Sequence, residues 1–463
     1  MMRILPYTIL LSLYLAGCSE EFKVVDTKEN PSELEISERV LNQNNNDSKK
    51  LSVSPKVKED VESNLDTKKL SDLNLDFNVN LDDPKVLNKV LSKSLDAYKL
   101  QARGTGGEEL FYQPNDNIPY NGWVKEMYLN GQVKALLQIE EGKVSGLALE
   151  WYENGQKKRE NKLVEGRVHG PFTTWFLSGQ KSIEANFKFG LLDGLKTEWF
   201  ENGVKKLEES YSADEKHGVA NLWNQNGKKV SSINWKNGNV HGLTTVWFEN
   251  GGKSEESNWQ EGQRHGLTTV WFENGRKSEE SNWREGQWHG TTTVWFENGV
   301  KKSEENYVNG EKNGPATIWY ETGNKSSHGN WKLGKKDGKF FDWHESGQKL
   351  SEKNWKQDQL DGSATEWHLN GNLKFEGKFK DDLKDGLIDE WYENGQKKMT
   401  SGYSKGKIFS ARVWKPNGIR CEKTKLLDGN GLLILYEENG KIKEEQHYSE
   451  GKVYMIGDKL IFD

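Results

Sequence analysis

HGLTTVWFENGGKSEESNWQEGQR, residues 241–264, runs directly into HGLTTVWFENGRKSEESNWREGQW, residues 265–288. The two copies differ only at Gly252/Arg276, Gln260/Arg284 and Arg264/Trp288. Self-similarity at a fixed period of this size marks a repeat architecture rather than one enclosed globule. Outward from this pair, the first aromatic slot of the unit holds Trp151, Trp175, Trp199, Trp223, Trp247, Trp271, Trp295, Trp319, Trp343, Trp367 and Trp391, always 24 residues apart. Met127 fills the preceding slot, and Trp414 and Tyr436 continue the series after small deletions, giving 14 units. Four residues after each tryptophan stands a glycine: Gly155, Gly179, Gly203, Gly227, Gly251, Gly275, Gly299, Gly323, Gly347, Gly371 and Gly395.

Asn-Gly between short alternating runs is the strongest local hairpin signal, because glycine accepts positive φ without steric cost. Each unit therefore reads as a β-hairpin with a structural turn glycine. A three-residue loop, Glu249-Asn250-Gly251, pairs Trp247 with Lys253. Counted on from there, the second aromatic of each unit, Trp259 and its equivalents, falls on the same face as the first. A second glycine, at Gly242, Gly266 and Gly290, reads as the turn into the next hairpin. The expected fold is all-β: an elongated repeat array of antiparallel hairpins, a meander of about 28 strands running roughly 130 Å if straight. With 33% hydrophobic residues and 19 Trp, its core is expected to be built from an aromatic ladder.

The net charge is -6, from 65 Lys+Arg and 71 Asp+Glu interspersed along the chain, which disfavours nucleic-acid binding. Residues 1–18, MMRILPYTILLSLYLAGC, have a basic start, an apolar run too short to span a bilayer and small residues before a cysteine. Leu15-Ala16-Gly17-Cys18 resembles the lipobox of bacterial lipoproteins. The resemblance implies cleavage before Cys18, its acylation, and anchorage in a lipid bilayer of the bacterial cell envelope; Ser19 implies the outer membrane in a cell that has one. Residues 19–81 are rich in Asn, Ser, Asp, Lys and Glu and read as a disordered tether. Residues 82–107 read as one short amphipathic helix and a linker, starting at Asp82-Asp83-Pro84 with Leu87, Leu91, Leu95 and Tyr98 at helical spacing and capping the first repeat's exposed edge. Residues 108–463 carry the array.

The unit W-F-E-N-G-x-K-x-E, followed by an aromatic, a glycine and a His/Asp-Gly step, resembles the variant MORN repeat of bacterial proteins labelled YwqK-family antitoxins. Glu109-Leu110-Phe111-Tyr112 and Pro119-Tyr120-Asn121-Gly122 resemble that family's entry. The resemblance covers residues 110 to the carboxyl end and implies a MORN-like meander sheet used in protein interaction.

His169, His217, His241, His265 and His289 share one slot and invite a metal. Equivalent positions in successive hairpins lie about 9.6 Å apart, however, while zinc needs nitrogens about 2.0–2.1 Å from the ion. The slot also takes Asp193, Asn313, Asp337, Asp361 and Asp385, which are ordinary turn residues. Repeated Glu and Lys, such as Glu249 with Lys253 or Glu255-Glu256, read as a solvated, cross-paired surface. With no phosphate loop and no nucleophile elbow, no catalytic residue, cofactor or metal is expected, and Cys421 reads as an inert thiol. The expected function is non-catalytic: a membrane-anchored scaffold for an unidentified envelope or extracellular protein. The alternatives are glycan or cell-wall binding, if the rings line an open groove, and immunity against an envelope-directed toxin.

Overall fold

The computed structural model describes residues 79–104 and 109–461. The signal segment, Cys18 and nearly all of the tether lie outside the described residues. The chain divides into two units, Met1–Gly251 and Gly252–Asp463, and each is an antiparallel meander of hairpins, so the all-β repeat reading holds in both.

The repeat is clearest in the second unit. The outgoing strand Gln263–Trp271 pairs with the return strand Lys277–Arg284, and Trp271 lies opposite Lys277. The loop between them is Glu273-Asn274-Gly275. The amide of Gly275 donates to the Phe272 carbonyl at 2.9 Å, that of Phe272 to the Arg276 carbonyl at 2.8 Å, and Gly275 sits at φ +82°. This is the expected type I turn with a glycine bulge. The turn glycines from Gly155 to Gly395 all have φ between +78° and +91°.

Two expectations about the hairpin fail, and both failures come from bulges. The register slips between Val270 and Trp271, so that Val270 pairs with Glu279 and Ser278 is an extra residue. The equivalent extra residue, Lys206, pairs with Glu198 at 3.7 Å, and Lys374 pairs with Glu366 at 3.4 Å; both glutamates occupy the Val270 slot. Two consecutive side chains thus fall on one face and parity flips. Trp271 and Trp283 therefore lie on opposite faces, not on one. The second glycine is not the turn either. The reversal occurs four to five residues before it, at Glu261-Gly262, whose φ values of +49° and +78° make a two-residue type I′ turn. Gly266 instead sits inside the strand in a three-against-one bulge, where His265-Gly266-Leu267 oppose the single residue Asn258. Asn258 closes that bulge by donating from Nδ2 to the Leu267 carbonyl at 2.9 Å.

In the first unit, the helix α1, Pro84–Lys93, is capped by Asp83, whose side chain accepts from the Lys85 amide. It ends before the expected spacing does: Leu95 enters a two-residue strand parallel to Gly122–Met127, and Tyr98 stands 68% exposed in a short 3-10 turn. The edge of the first repeat is thus covered by Leu95–Asp96, while α1 lies on its face. Val79 and Leu81, assigned to the tether by composition, pack beside α1 against Leu136, Leu147, Leu149 and Trp151. The opposite face is closed by the hairpin Gln101–Arg103 and Leu110–Tyr112, with Leu100, Phe111 and Tyr120 on Val124, Leu137 and Ile139. At the far end of the second unit, the segment carrying Cys421 and Leu426 closes a similar aliphatic core with Ile408, Val413, Leu433 and Ile434.

Candidate functional site

The extended surface of the repeats is the candidate site, and it has two faces, each carrying its own aromatic series. On the first, the slot tryptophans are half-buried; among them only Trp151, beneath α1, is buried. Ammonium groups cover these rings. Lys157 lies 5.3 Å from the Trp175 ring, Lys229 lies 5.6 and 5.7 Å from Trp223 and Trp247, Lys349 lies 5.0 Å from Trp367, and Lys397 lies 5.6 and 6.0 Å from Trp391 and Trp414. In several repeats the lysine of this slot also holds the glutamate three residues on, as Lys157 does with Glu160, Lys253 with Glu256 and Lys277 with Glu280. Lys253 pairs there rather than with Glu249. The alternation of ring and cation, each stem lying along its neighbour, shields the small residues between them.

The second face repeats the scheme with the second aromatic. Arg264 lies between Trp259 and Trp283 at 5.4 and 5.3 Å and binds Glu255 at 2.8 Å. Lys336 covers Phe340 and Trp355, and Lys384 covers Phe375 and Tyr403. Trp259 and Trp283 donate from their indole nitrogens to Ser257 and Ser281, both fully buried. Where the ring is Tyr211 the donor turns to Glu209; burial, then the Glu209 charge, pushes that phenol well above its usual range.

The turn residues stitch one hairpin to the next. Asn370 accepts from the Asn372 amide at 3.0 Å and donates to the Glu393 carbonyl of the following turn at 2.7 Å; Asn202 and Asn394 donate in the same way to Gln225 and Pro416. Beside the tryptophan, Tyr152, Tyr320 and Tyr392 donate to the backbone carbonyls of Trp175, Trp343 and Trp414. Phe248, in that same slot, is buried rather than displayed. On the opposite edge the His/Asp/Asn slot accepts from the next type I′ turn: Asn313 from the Leu333 amide at 3.2 Å, Asp385 from Lys405 at 3.3 Å and His169 from Phe189 at 3.4 Å. Burial, then Lys188, holds His169 below the usual imidazole range. The slot joins turns, a role that the spacing of its residues displayed without naming the acceptor's partner.

Among the described residues no group of three His, Cys, Asp or Glu is placed to hold a metal. Cys421 is buried beneath donors: the Tyr436 hydroxyl at 3.2 Å and the Thr424 hydroxyl at 3.5 Å. Burial pushes its thiol up, but these bonds and the amides of Thr424 and Lys423 outweigh burial and hold it below the usual thiol range.

Three stretches, 288–309, 360–381 and 430–450, match the family model of the MORN repeat variant. These stretches are MORN repeats of the variant type. Each begins in or just before an outgoing strand and runs through its slot aromatic, Trp295, Trp367 or Tyr436, and through the Asn-Gly turn that follows; the same hairpin recurs on either side. No curated protein matches the chain. Among solved structures, a crystal structure of TcdB2-TccC3 is similar at 12% identity over 74% of this chain and 22% of that one, with a TM-score of 0.15. Crystal structures of TcdB2-TccC3-TEV and TcdB2-TccC3-Cdc42 are similar at 11% and 10% identity, over 80% and 76% of this chain, with TM-scores of 0.12. The chain spans about a quarter or less of the length of those chains, 25% and 26% in the latter two.

Proposed function

We propose that this chain is a non-catalytic interaction scaffold that presents its MORN repeats to a protein partner, anchored to the envelope bilayer through acylated Cys18. The observation that carries the reading is the placement of the rings. Sugar recognition by stacking needs open ring faces gathered in one groove, whereas here the two aromatic series lie on opposite faces and their π-surfaces are taken by lysine and arginine. What remains outward is a stiff, stitched surface of charge pairs and aliphatic side chains, which suits a protein. The lipobox resemblance of Leu15-Ala16-Gly17-Cys18 supports the anchor and the envelope location.

Co-sedimentation of the full chain with purified peptidoglycan sacculi, alongside cross-linking in detergent-extracted envelope, tests this reading. A discrete cross-linked protein and no sedimentation is the expected result. Saturable sedimentation competed by soluble glycan fragments would replace the scaffold with a cell-wall binder. Loss of metabolic palmitate labelling in Cys18→Ser tests the anchor.

A further inference from the structure

The first face of unit Met1–Gly251 already holds one helix. α1 packs on Leu147, Leu149 and Trp151, leaving Leu147 6% and Leu149 2% exposed. At its start, Asp82 accepts from Lys157 Nζ at 2.6 Å; at its end, Lys125 Nζ donates to the Leu91 carbonyl at 2.8 Å. Lys157 opens the return strand Lys157–Val164 and Lys125 lies on Gly122–Met127, so the axis of α1 crosses the strands rather than following one. A ladder lysine, a leucine slot and a tryptophan slot together make its seat.

The same slots recur uncovered further along this unit. Leu195, Val219 and Leu243 occupy the Leu147 slot of later repeats and are 47%, 43% and 42% exposed, next to Trp199, Trp223 and Trp247. Successive members lie two strands apart, about 9.6 Å, which approaches the roughly 10.5 Å that seven helical residues span. The lysine slot is also available. Lys205 is held by Glu208, but Ser232 replaces that glutamate in the next repeat. Lys229 then bonds only the Asn221 side-chain oxygen, at 2.9 Å, between the rings of Trp223 and Trp247, with no carboxylate partner among the described residues. Lys157 holds Asp82 of the docked segment together with its own Glu160; Lys229, fixed between two rings with no carboxylate on it, leaves room for the one that a docked helix would bring as Asp82 does.

We propose that Leu195, Val219, Leu243 and Lys229 form a seat for an amphipathic helix of a partner protein. The helix lies across the strands as α1 does, with aliphatic residues at i, i+7 and i+14 and a carboxylate on Lys229. The proposal rests on the protein-scaffold reading and names its surface.

The test uses a fluorescein-labelled, lactam-bridged helical peptide with leucines at i, i+7 and i+14 and aspartate in its first turn, titrated with the full chain by anisotropy. Saturable binding is expected. Val219→Asp, at an exposed position that leaves amide protection unchanged, should weaken it about tenfold or more, the cost of an unpaired carboxylate on an apolar contact. Lys229→Glu should weaken it about fivefold, and replacing the peptide aspartate with lysine should restore it. Leu387→Asp, the same slot in the second unit and 66% exposed, should change nothing. Absence of saturable binding, indifference to Val219→Asp, or loss with Leu149→Asp alone, which would mean that the peptide had displaced α1, would each overturn the seat. A protein cross-linked in envelope extract alongside a peptide that fails to bind leaves the scaffold standing and removes only this site.

Discussion

Strand Val133–Glu140, in the first repeat, buries Ala135, Leu136, Leu137 and Ile139, whereas strand Lys277–Arg284, in the same place of a middle repeat, buries only Ser281. Among the described residues no earlier repeat lays lysines over the first one, which takes aliphatic side chains and is covered by α1 on one face and the hairpin Gln101–Arg103/Leu110–Tyr112 on the other. The middle repeat is covered by its neighbours: Arg264 spans Trp259 and Trp283, and Lys253 reaches Trp271. One hairpin pattern therefore has two stabilisation chemistries, a closed aliphatic core at the end and a shared ring-and-cation surface between.

The contrast breaks most visibly if the ends are no more sensitive than the middle. Leu136→Ala, at a fully buried site, is expected to cost about 3 kcal/mol and to strip amide protection from α1 and the first two hairpins. Trp271→Ala removes a half-buried ring and should cost about 1–2 kcal/mol, with exchange raised only in its own and adjacent hairpins; uniform loss throughout Gly252–Asp463 would mean that the repeats are not nearest-neighbour coupled. Asn370→Ala loses the bonds to Asn372 and Glu393 and should cost about 1 kcal/mol, read as a lower denaturation midpoint with an unchanged m-value. The smallest effect concerns acid. Burial alone would raise the Glu366 carboxyl, but Lys353 and then Lys374 hold it below its usual range. A depressed folded value contributes stability above the unfolded value of about 4.5 that is lost as pH falls through the folded value. Glu366→Gln should therefore flatten the stability profile below that point, and an unchanged profile would show the pairing to be idle.

The hairpins were legible because Trp271 and Gly275 recur at a fixed spacing and Glu273-Asn274-Gly275 can form only a few turns. The face of each ring was not, since it depends on Ser278 being squeezed out of register, and serine there looks like any strand residue. Gly266 was visible as a positive-φ position but not as a bulge, because His-Gly serves both a turn and a bulge; the type I′ turn was carried by Glu261-Gly262 instead. The end of α1 was misread for a similar reason: Leu95 continues the helical spacing but is drawn into pairing with Val124. The covered rings were beyond sequence altogether. Lys229 is one residue among many lysines until the fold sets it between Trp223 and Trp247.

The stitched turns also bear on mechanical load. In Gly252–Asp463 hairpins are held to the next by a few bonds at their turns, such as Asn298 to Glu321 and Asn370 to Glu393, and by one strand ladder, as between Lys349–Lys356 and Gln359–Trp367. Tension on the outermost strand of such a meander would fall on the hydrogen bonds nearest the point of pull and release them in sequence, like a zip. The core of Ile408, Val413, Leu433 and Ile434 packs across several successive strands, so a peeling front that reaches it must break packing as well as hydrogen bonds, and the aliphatic core serves as a stop against force as well as a lid against water.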